Sequence, residues 1–279
     1  MIKAIATDLD GTLFYPKRRL KLMKSKNKRF LQGFINQGNK VILVTGRNRD
    51  LCRKVSKKLG SDGVVIIGCS GGFVSIKDEL TSENPIAKND ALKLYDLLCQ
   101  DVEIKSILVL TDKYNLILDD HPLNKFSRWI GKLIMKLQGA YQEKFISGRD
   151  KMIKVLNDDS VKIYKIMPWY GIGKKGDELA RLATLRYQES VGDLFEVAWS
   201  QDAIEFVKKG ANKATVLKQV LADLNIAEDE TIVIGDSGND IPLFKNFKNS
   251  FVMSQAPEEV KKEAKYVVES VADLKDYCK

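Results

Sequence analysis

Two aspartates, separated by a single residue, directly follow an apolar run near the start of the chain. Asp8 and Asp10 follow residues 2–7, whose alternation and β-forming residues predict a strand, and Gly11 comes next. Carboxylates at a strand end are costly to desolvate unless a cation, hydrogen-bond donors or water compensate them. A hard divalent ion meets that need, because Mg²⁺ takes oxygen ligands, typically one or two carboxylates and a phosphate. The pattern therefore predicts a divalent-cation site, with an Asp-rich turn as the alternative.

Further polar residues follow the ends of other predicted elements, and in open α/β sheets ligands bind at the carboxyl edge of the strands. They are Thr45 and Gly46 after one strand, Lys213 at a helix start, and Asp236, Asn239 and Asp240 after another strand. Each has a simpler interpretation: Thr45 could begin a helix, Lys213 could be a surface lysine, and Asp240 could cap the helix that follows. Arg47, at a helix start, is interpreted as a surface residue outside the site. Together the segments predict one polar site at a sheet edge.

Strands and helices alternate regularly before residue 80 and after residue 210, which predicts a doubly wound, mostly parallel sheet. The predicted strands cover residues 2–7, 40–44, 64–67, 107–111, 116–118, 161–167, 194–198, 231–234, 250–253 and 266–268. The predicted helices cover residues 24–37, 49–59, 90–99, 123–137, 177–189 and 211–224, with another from 257. Because the middle of the chain mixes short strands and helices, we predict an α/β core over 1–80 and 203–279 and an α+β insertion over 81–202.

The composition excludes several kinds of site. The four cysteines form no C-x-x-C pair, and His121 is the one histidine of the chain, so a zinc site, a disulfide framework and histidine-based triads are not expected. No apolar run approaches the roughly 18 residues that cross a bilayer. The start of the chain enters a strand at once, without the pattern of a secretory signal. We therefore expect a cytoplasmic protein without a membrane partner.

The net charge of +9 is concentrated near the start of the chain, where residues 17–29 hold eight basic and no acidic residues. A nucleic-acid interface is one interpretation of such a run. The run contains no aromatic residue on which bases could stack, and helical apolar spacing follows it. A solvated surface is therefore the favoured interpretation, and nucleic acid is not an expected partner.

The four polar segments resemble the four motifs of the haloacid dehalogenase-like phosphohydrolases, in particular the Cof-type members with a type IIB α+β cap. They read DLDGT at 8–12, VTGR at 44–47, KKGANK at 208–213 and GDSGND at 235–240. The spacing before the cap and the tail after the fourth motif also match, so the resemblance covers essentially the whole chain. It implies a Rossmann-like core interrupted by the cap.

The resemblance also implies an activity: Mg²⁺-dependent hydrolysis of a small phosphomonoester through an aspartyl-phosphate. Asp8 would be the nucleophile and Asp10 the general acid and base. The carboxylates of Asp8 and Asp236 and the backbone carbonyl of Asp10 would hold the metal, while Asp240 would orient its water ligands. The non-bridging phosphoryl oxygens would be bound by Thr45, Gly46, Lys213 and Asn239.

The substrate is not defined by these motifs. The resemblance implies a sugar phosphate, a nucleotide or a phosphorylated cofactor, selected by the cap, where Trp169, Tyr170, Arg149 and Lys174 could line the pocket or serve only packing and surface roles. Residues 70–72 (SGG) and 253–256 (MSQA) depart from the family's usual Asn-Gly-Ala and Met-Gly-Asn-Ala. A phosphomutase on the same scaffold and a non-catalytic nucleic-acid-binding or regulatory protein stay open as alternatives, and the chain is expected to be a monomer or a dimer.

Overall fold

The computed structural model describes residues 1–16, 23–113, 115–118, 143–146 and 149–278. The predicted helix over 123–137 and part of the basic run, residues 17–22, lie outside these residues. The described chain divides into two compact units: Met1–Glu83 with Ala211–Lys279, and Asn84–Gly210. No helix of the described residues is long and apolar enough to cross a membrane.

The described strands are β1 (Ala4–Thr7), β2 (Lys40–Val44), β3 (Val64–Gly68), β4 (Phe73–Ile76), β5 (Glu79–Glu83), β6 (Ser106–Thr111), β7 (Asn115–Leu118), β8 (Glu143–Ile146), β9 (Ile163–Trp169), β10 (Phe195–Ser200), β11 (Ala203–Lys208), β12 (Thr231–Gly235), β13 (Asn249–Met253) and β14 (Tyr266–Val268). The described helices are α1 (Ser25–Asn36), α2 (Arg49–Leu59), α3 (Lys88–Leu98), α4 (Arg149–Leu156), α5 (Lys174–Val191), α6 (Lys213–Asp223), α7 (Ile241–Asn246) and α8 (Glu258–Lys261).

The first unit is built on an eight-stranded sheet with the order β14-β13-β12-β1-β2-β3-β4-β5. All strands from β14 to β3 pair in parallel, and β4 and β5 add an antiparallel edge. The central strands β1 and β12 are buried along their whole length, which explains why neither contains a charged residue. The predicted α/β fold with a mostly parallel sheet is thus confirmed.

The register of this sheet fixes which residues meet at its carboxyl edge. Thr7, the last residue of β1, pairs with Leu43 of β2 on one side and with Ile234 of β12 on the other. The residues that follow these three positions therefore emerge side by side. Two helices begin at the same edge, and asparagine side chains cap both: Asn48 accepts from the Leu51 N–H before α2, and Asn212 accepts from two N–H groups of α6.

The second unit has a six-stranded sheet with the order β10-β11-β9-β6-β7-β8, in which only β7 and β8 pair in parallel among the described strands. Helix α5 packs on β10 and β11, where Tyr187 meets Phe206 edge to face. Strand β11 pairs with β10 and β9, so residues 203–208 belong to this sheet. The sequence analysis placed them in the core, and the insertion therefore extends further than its predicted end at 202.

Candidate active site

The turn after β1 carries the two aspartates and depends on a glycine. Asp8 follows the strand and is 5% exposed, and the turn Leu9–Leu13 begins directly after it. Gly11 has φ +77°, and a Cβ at this position would lie 2.0 Å from Oδ2 of Asp236. The next residue, Thr12, donates from Oγ1 to Oδ1 of Asp236 over 2.7 Å. The first and fourth motifs are therefore in direct contact.

Lys213, the first residue of α6, joins the other polar segments. Its side chain is 1% exposed, and its Nζ donates to Oδ1 of Asp8 at 3.0 Å, Oδ1 of Asn239 at 3.0 Å and Oδ1 of Asp240 at 2.7 Å. An ammonium group can donate to several acceptors at once, and these three contacts fix its position. Such a lysine is therefore held in one orientation, unlike a surface lysine.

The loop after β12 is held by hydrogen bonds to the side chain of Asp240, which is fully buried. Its Oδ2 accepts from the backbone N–H groups of Asp236 at 3.0 Å and Ser237 at 3.1 Å. The Ser237 hydroxyl also donates to Oδ1 of Asn239 at 2.8 Å. Both carboxylate oxygens of Asp240 thus accept protein donors, since its Oδ1 receives Lys213.

Three carboxylates converge here. Oxygen atoms of Asp8, Asp236 and Asp240 all lie within 4.8 Å of one another. Burial raises the pKa of Asp8 well above its usual range, partly offset by Lys213. Burial, together with the charge of Asp240, raises the pKa of Asp236 to about 7. One ammonium facing three buried carboxylates leaves an excess of negative charge, and an all-oxygen set of this kind fits a hard divalent cation such as Mg²⁺.

The second motif lies beside the first. Thr45 is buried, and its Oγ1 accepts from the Arg47 N–H at 3.3 Å across Gly46. The Arg47 guanidinium donates to both oxygens of Asp10, from Nε at 2.5 Å and from Nη2 at 2.9 Å. The sequence analysis left Arg47 outside the site, whereas the structure pairs it with Asp10. Its position two residues after Thr45, in the same loop at the sheet edge, was the signal that could have identified it.

With this geometry established, comparison with known proteins decides the family. The profile of the haloacid dehalogenase-like hydrolases matches residues 5–275. The chain belongs to this family.

Two relatives and one solved structure illustrate the likeness. The chain is 26% identical over 271 residues to the chloroplastic endoribonuclease YBEY of Arabidopsis thaliana, covering 92% of this chain but only 42% of that protein. It is 23% identical over 269 residues to 5-amino-6-(5-phospho-D-ribitylamino)uracil phosphatase YcsE of Bacillus subtilis, covering 96% of this chain and 90% of that one. The structure of the subclass IIB sugar phosphatase BT4131 superposes with a TM-score of 0.74 at 19% identity, covering 99% and 98% of the two chains. The fold of this hydrolase is thus like that of the subclass IIB protein.

Most of the residues predicted for the site in this hydrolase meet in one network. Lys213 donates hydrogen bonds to Asp8, Asn239 and Asp240. A carboxylate oxygen of Asp236 lies within 4.8 Å of carboxylate oxygens of Asp8 and Asp240. Asp10 lies in the same turn but faces Arg47, while Thr45 and Gly46 lie in the neighbouring loop.

Sequence reasoning missed three residues that support this network in the hydrolase. The Thr12 hydroxyl donates to Asp236, and the Ser237 hydroxyl donates to Asn239. The third residue is Gln255, whose Nε2 donates to the Gly11 carbonyl at 2.5 Å. Each stands inside or next to a segment that the sequence analysis singled out, so proximity along the chain was the available signal.

Two of the suggested pocket residues have other partners within the second unit. Tyr170 is buried and donates to Oδ2 of Asp101 at 3.2 Å, and Arg149 pairs with Asp96 at 2.6 Å on the surface. These contacts favour the packing and surface roles that the sequence analysis held open for both residues.

Proposed function

We propose that this hydrolase is a Mg²⁺-dependent phosphatase that transfers the phosphoryl group of a small phosphomonoester first to Asp8 and then to water. In the first step the Asp8 oxygen–phosphorus bond forms and the bond from phosphorus to the alcohol oxygen breaks. In the second step water attacks phosphorus, the bond to Asp8 breaks, and inorganic phosphate leaves. The observation that carries the proposal is the cluster of three buried carboxylates around a single ammonium.

Asp8 is suited to the nucleophilic role by its place in the fold. It directly follows β1, a central strand of the sheet, and Lys213 donates to its Oδ1, so its carboxylate has a defined orientation. Carboxylates serve as nucleophiles in other enzymes that form aspartyl-phosphates. A nucleophile fixed in this way loses little orientational freedom in the reaction.

Asp10 is the proposed general acid and base. It would give a proton to the leaving alcohol oxygen in the first step and accept a proton from the attacking water in the second. Its side chain is 32% exposed, so solvent and substrate can reach it, whereas Asp8 is nearly buried. The single histidine of the chain is outside these motifs, which leaves this work to a carboxylate.

The carboxylates of Asp8 and Asp236 and the backbone carbonyl of Asp10 would hold Mg²⁺. When bound, the ion neutralises negative charge and lets an anionic nucleophile approach an anionic phosphate. Asp240 keeps a supporting role in this proposal, because Lys213 and two backbone N–H groups occupy both of its carboxylate oxygens. It fixes the loop from which Asp236 projects.

The donors proposed for the phosphoryl oxygens are the Thr45 hydroxyl, the Gly46 amide, Lys213 and Asn239. Lys213 and Asn239 are bonded to each other, and Thr45 is buried in the neighbouring loop. Donors that are fixed before the substrate arrives stabilise charge in the transition state without reorganisation.

The second unit is the proposed cap, which selects the substrate. The substrate class we propose is a sugar phosphate, a nucleotide or a phosphorylated cofactor, and the sugar phosphatase and ribitylaminouracil phosphatase among the similar proteins support it. A cytoplasmic location stays a prediction from the sequence.

The test is phosphate release from p-nitrophenyl phosphate with Mg²⁺ or with excess EDTA. We expect turnover that requires Mg²⁺ and falls by at least about 10³-fold in Asp8→Asn. Asp223→Asn, at an exposed position of α6, is the matched control and keeps full activity. Undiminished turnover in Asp8→Asn, or turnover without a divalent ion, would contradict the proposal. Dependence on a bisphosphate activator would indicate a mutase instead.

A further inference from the structure

Arg47 and Asp10 form a two-pronged ion pair inside the proposed site. Two parallel N–H···O bonds of 2.5 and 2.9 Å join the guanidinium to both carboxylate oxygens. Both side chains are about one-third exposed, at 34% and 32%. A bidentate pair of this kind fixes the plane of the carboxylate as well as its position. The contact therefore restricts the side chain on which the proposed proton transfers depend.

The backbone on the arginine side of this pair is tied to the sheet. The Arg47 N–H donates to Thr45 Oγ1 at 3.3 Å, and the Arg47 carbonyl accepts from the Cys69 N–H at 2.9 Å. The Thr45 N–H in turn donates to the Ile67 carbonyl of β3. Asp10 sits in a turn, where its own φ and ψ of −76° and 125° are extended. The backbone that carries the guanidinium is thus tied to the sheet, which gives the arginine a fixed base from which to hold the Asp10 carboxylate.

We infer that Arg47 is a positioning residue that orients Asp10 for both of its proton transfers, an inference that rests on the phosphatase function proposed above. A general acid or base must lie within hydrogen-bond reach of the atom it serves. Displacement of a reacting group by about 1 Å can cost about 10²-fold in rate. Arginine suits this role better than lysine, because its planar fork holds two oxygens at once.

A competing role for Arg47 is direct binding of the phosphate, since guanidinium groups also match phosphate oxygens. The two roles differ in one respect. If Arg47 acts through Asp10, its substitution no longer lowers the rate once Asp10 is replaced. If Arg47 binds the phosphate, its substitution still lowers the rate. They also differ in leaving-group dependence, because p-nitrophenolate departs without a proton and an alkoxide does not.

The experiment is a double-mutant cycle of Arg47→Met and Asp10→Asn, measured with p-nitrophenyl phosphate and with glycerol phosphate. We expect Arg47→Met to lower kcat for glycerol phosphate by about 10²-fold, with a smaller loss for p-nitrophenyl phosphate and little change in KM. In the Asp10→Asn background the same change should cost less than about threefold. Arg47→Lys should recover only part of the rate. Arg49→Met, which removes a nearby arginine bonded to the Asp78 carbonyl, is the matched control and leaves both parameters unchanged.

Losses that multiply in the double variant, together with a raised KM, would overturn the inference and assign Arg47 to the phosphate. An Arg47→Met variant as active as the wild type on both substrates would also overturn it. Failure of the proposed function has a different signature, namely no phosphate release by the wild type or full activity in Asp8→Asn, and it would remove the role of Arg47 as well.

Discussion

Each unit of the molecule buries a carboxylate among several donors, but the two clusters balance their charge differently. In the second unit, Oδ2 of Asp101 accepts from the hydroxyls of Tyr170 and Tyr187 and from the Arg186 guanidinium, at 3.2, 3.0 and 2.6 Å. This Asp101 cluster has one carboxylate and one cation. In the first unit, the Lys213 cluster has Asp8, Asp236 and Asp240 around one ammonium.

The two clusters also differ in which of their groups have raised pKa values. In the Asp101 cluster, burial followed by the charge of Asp101 raises the pKa of Tyr187 to about 12, and the pKa of Tyr170 rises as well. Both tyrosines therefore remain neutral donors. In the Lys213 cluster the pKa values of the Asp8 and Asp236 carboxyl groups are themselves raised. A donor-rich cluster is complete as it stands, whereas one with excess negative charge gains stability from a cation.

The largest expected effect comes from removing the cation of each cluster. Lys213→Met should lower turnover of p-nitrophenyl phosphate by about 10³-fold, because both the orientation of Asp8 and a donor to the phosphate are lost. Arg186→Met should change turnover less than about twofold, because its side chain is 62% exposed and far along the chain from the motifs. Rates are compared per folded molecule, determined by circular dichroism. Equal losses in the two variants would erase the proposed distinction.

Neutralising one carboxylate should have opposite effects on the stability of the two clusters. In metal-free protein at pH 8, Asp236→Asn should raise the free energy of unfolding by about 1–4 kcal/mol, because it relieves the excess charge. Asp101→Asn should lower it by about 1–3 kcal/mol, because a charged acceptor of three hydrogen bonds is lost. Urea titrations in EDTA give both values. A loss of stability in both variants would contradict the charge argument.

The pH dependence of stability sharpens the same contrast. The pKa of Asp236 is about 7 in the folded protein against an ordinary value of 3.8, so between these pH values the folded state binds more protons than the unfolded one. Its contribution to stability is full below pH about 4 and is lost as the pH rises through about 7. Metal-free wild type should therefore lose stability over this range in urea titrations. In Asp236→Asn the free energy of unfolding should depend less on pH. The same pH dependence in the variant and the wild type would contradict a raised pKa of Asp236.

The core strands were predictable because their sequences are continuous and apolar. Residues 40–44 and 266–268 form strands with the predicted bounds. The hairpin of β4 and β5 was missed, since its turn places Lys77 and Asp78 at φ 51° and 66° without the glycine or asparagine that marks such turns. Strand β11 was missed because a charged residue interrupts its pattern: Glu205 is buried and paired with Lys165 at 2.9 Å.

The members of the candidate site were predictable for a different reason. A parallel sheet brings the carboxyl ends of its strands to one edge, so the motif residues had to gather there. The individual contacts were not predictable, because they depend on how far each side chain reaches. Arg47 illustrates this: its position two residues after Thr45 places it at the sheet edge, but the sequence does not show that its guanidinium turns toward Asp10.

The central claim is that the Lys213 cluster, with its excess of negative charge, binds a divalent cation. The most direct test is the midpoint of thermal unfolding at neutral pH over a series of Mg²⁺ concentrations, for the wild type, Asp236→Asn and Asp101→Asn. Binding to the folded state alone raises the midpoint as the ligand concentration increases. We predict a concentration-dependent rise for the wild type and Asp101→Asn and none for Asp236→Asn. The same rise in all three proteins, or no rise in the wild type, would contradict the account.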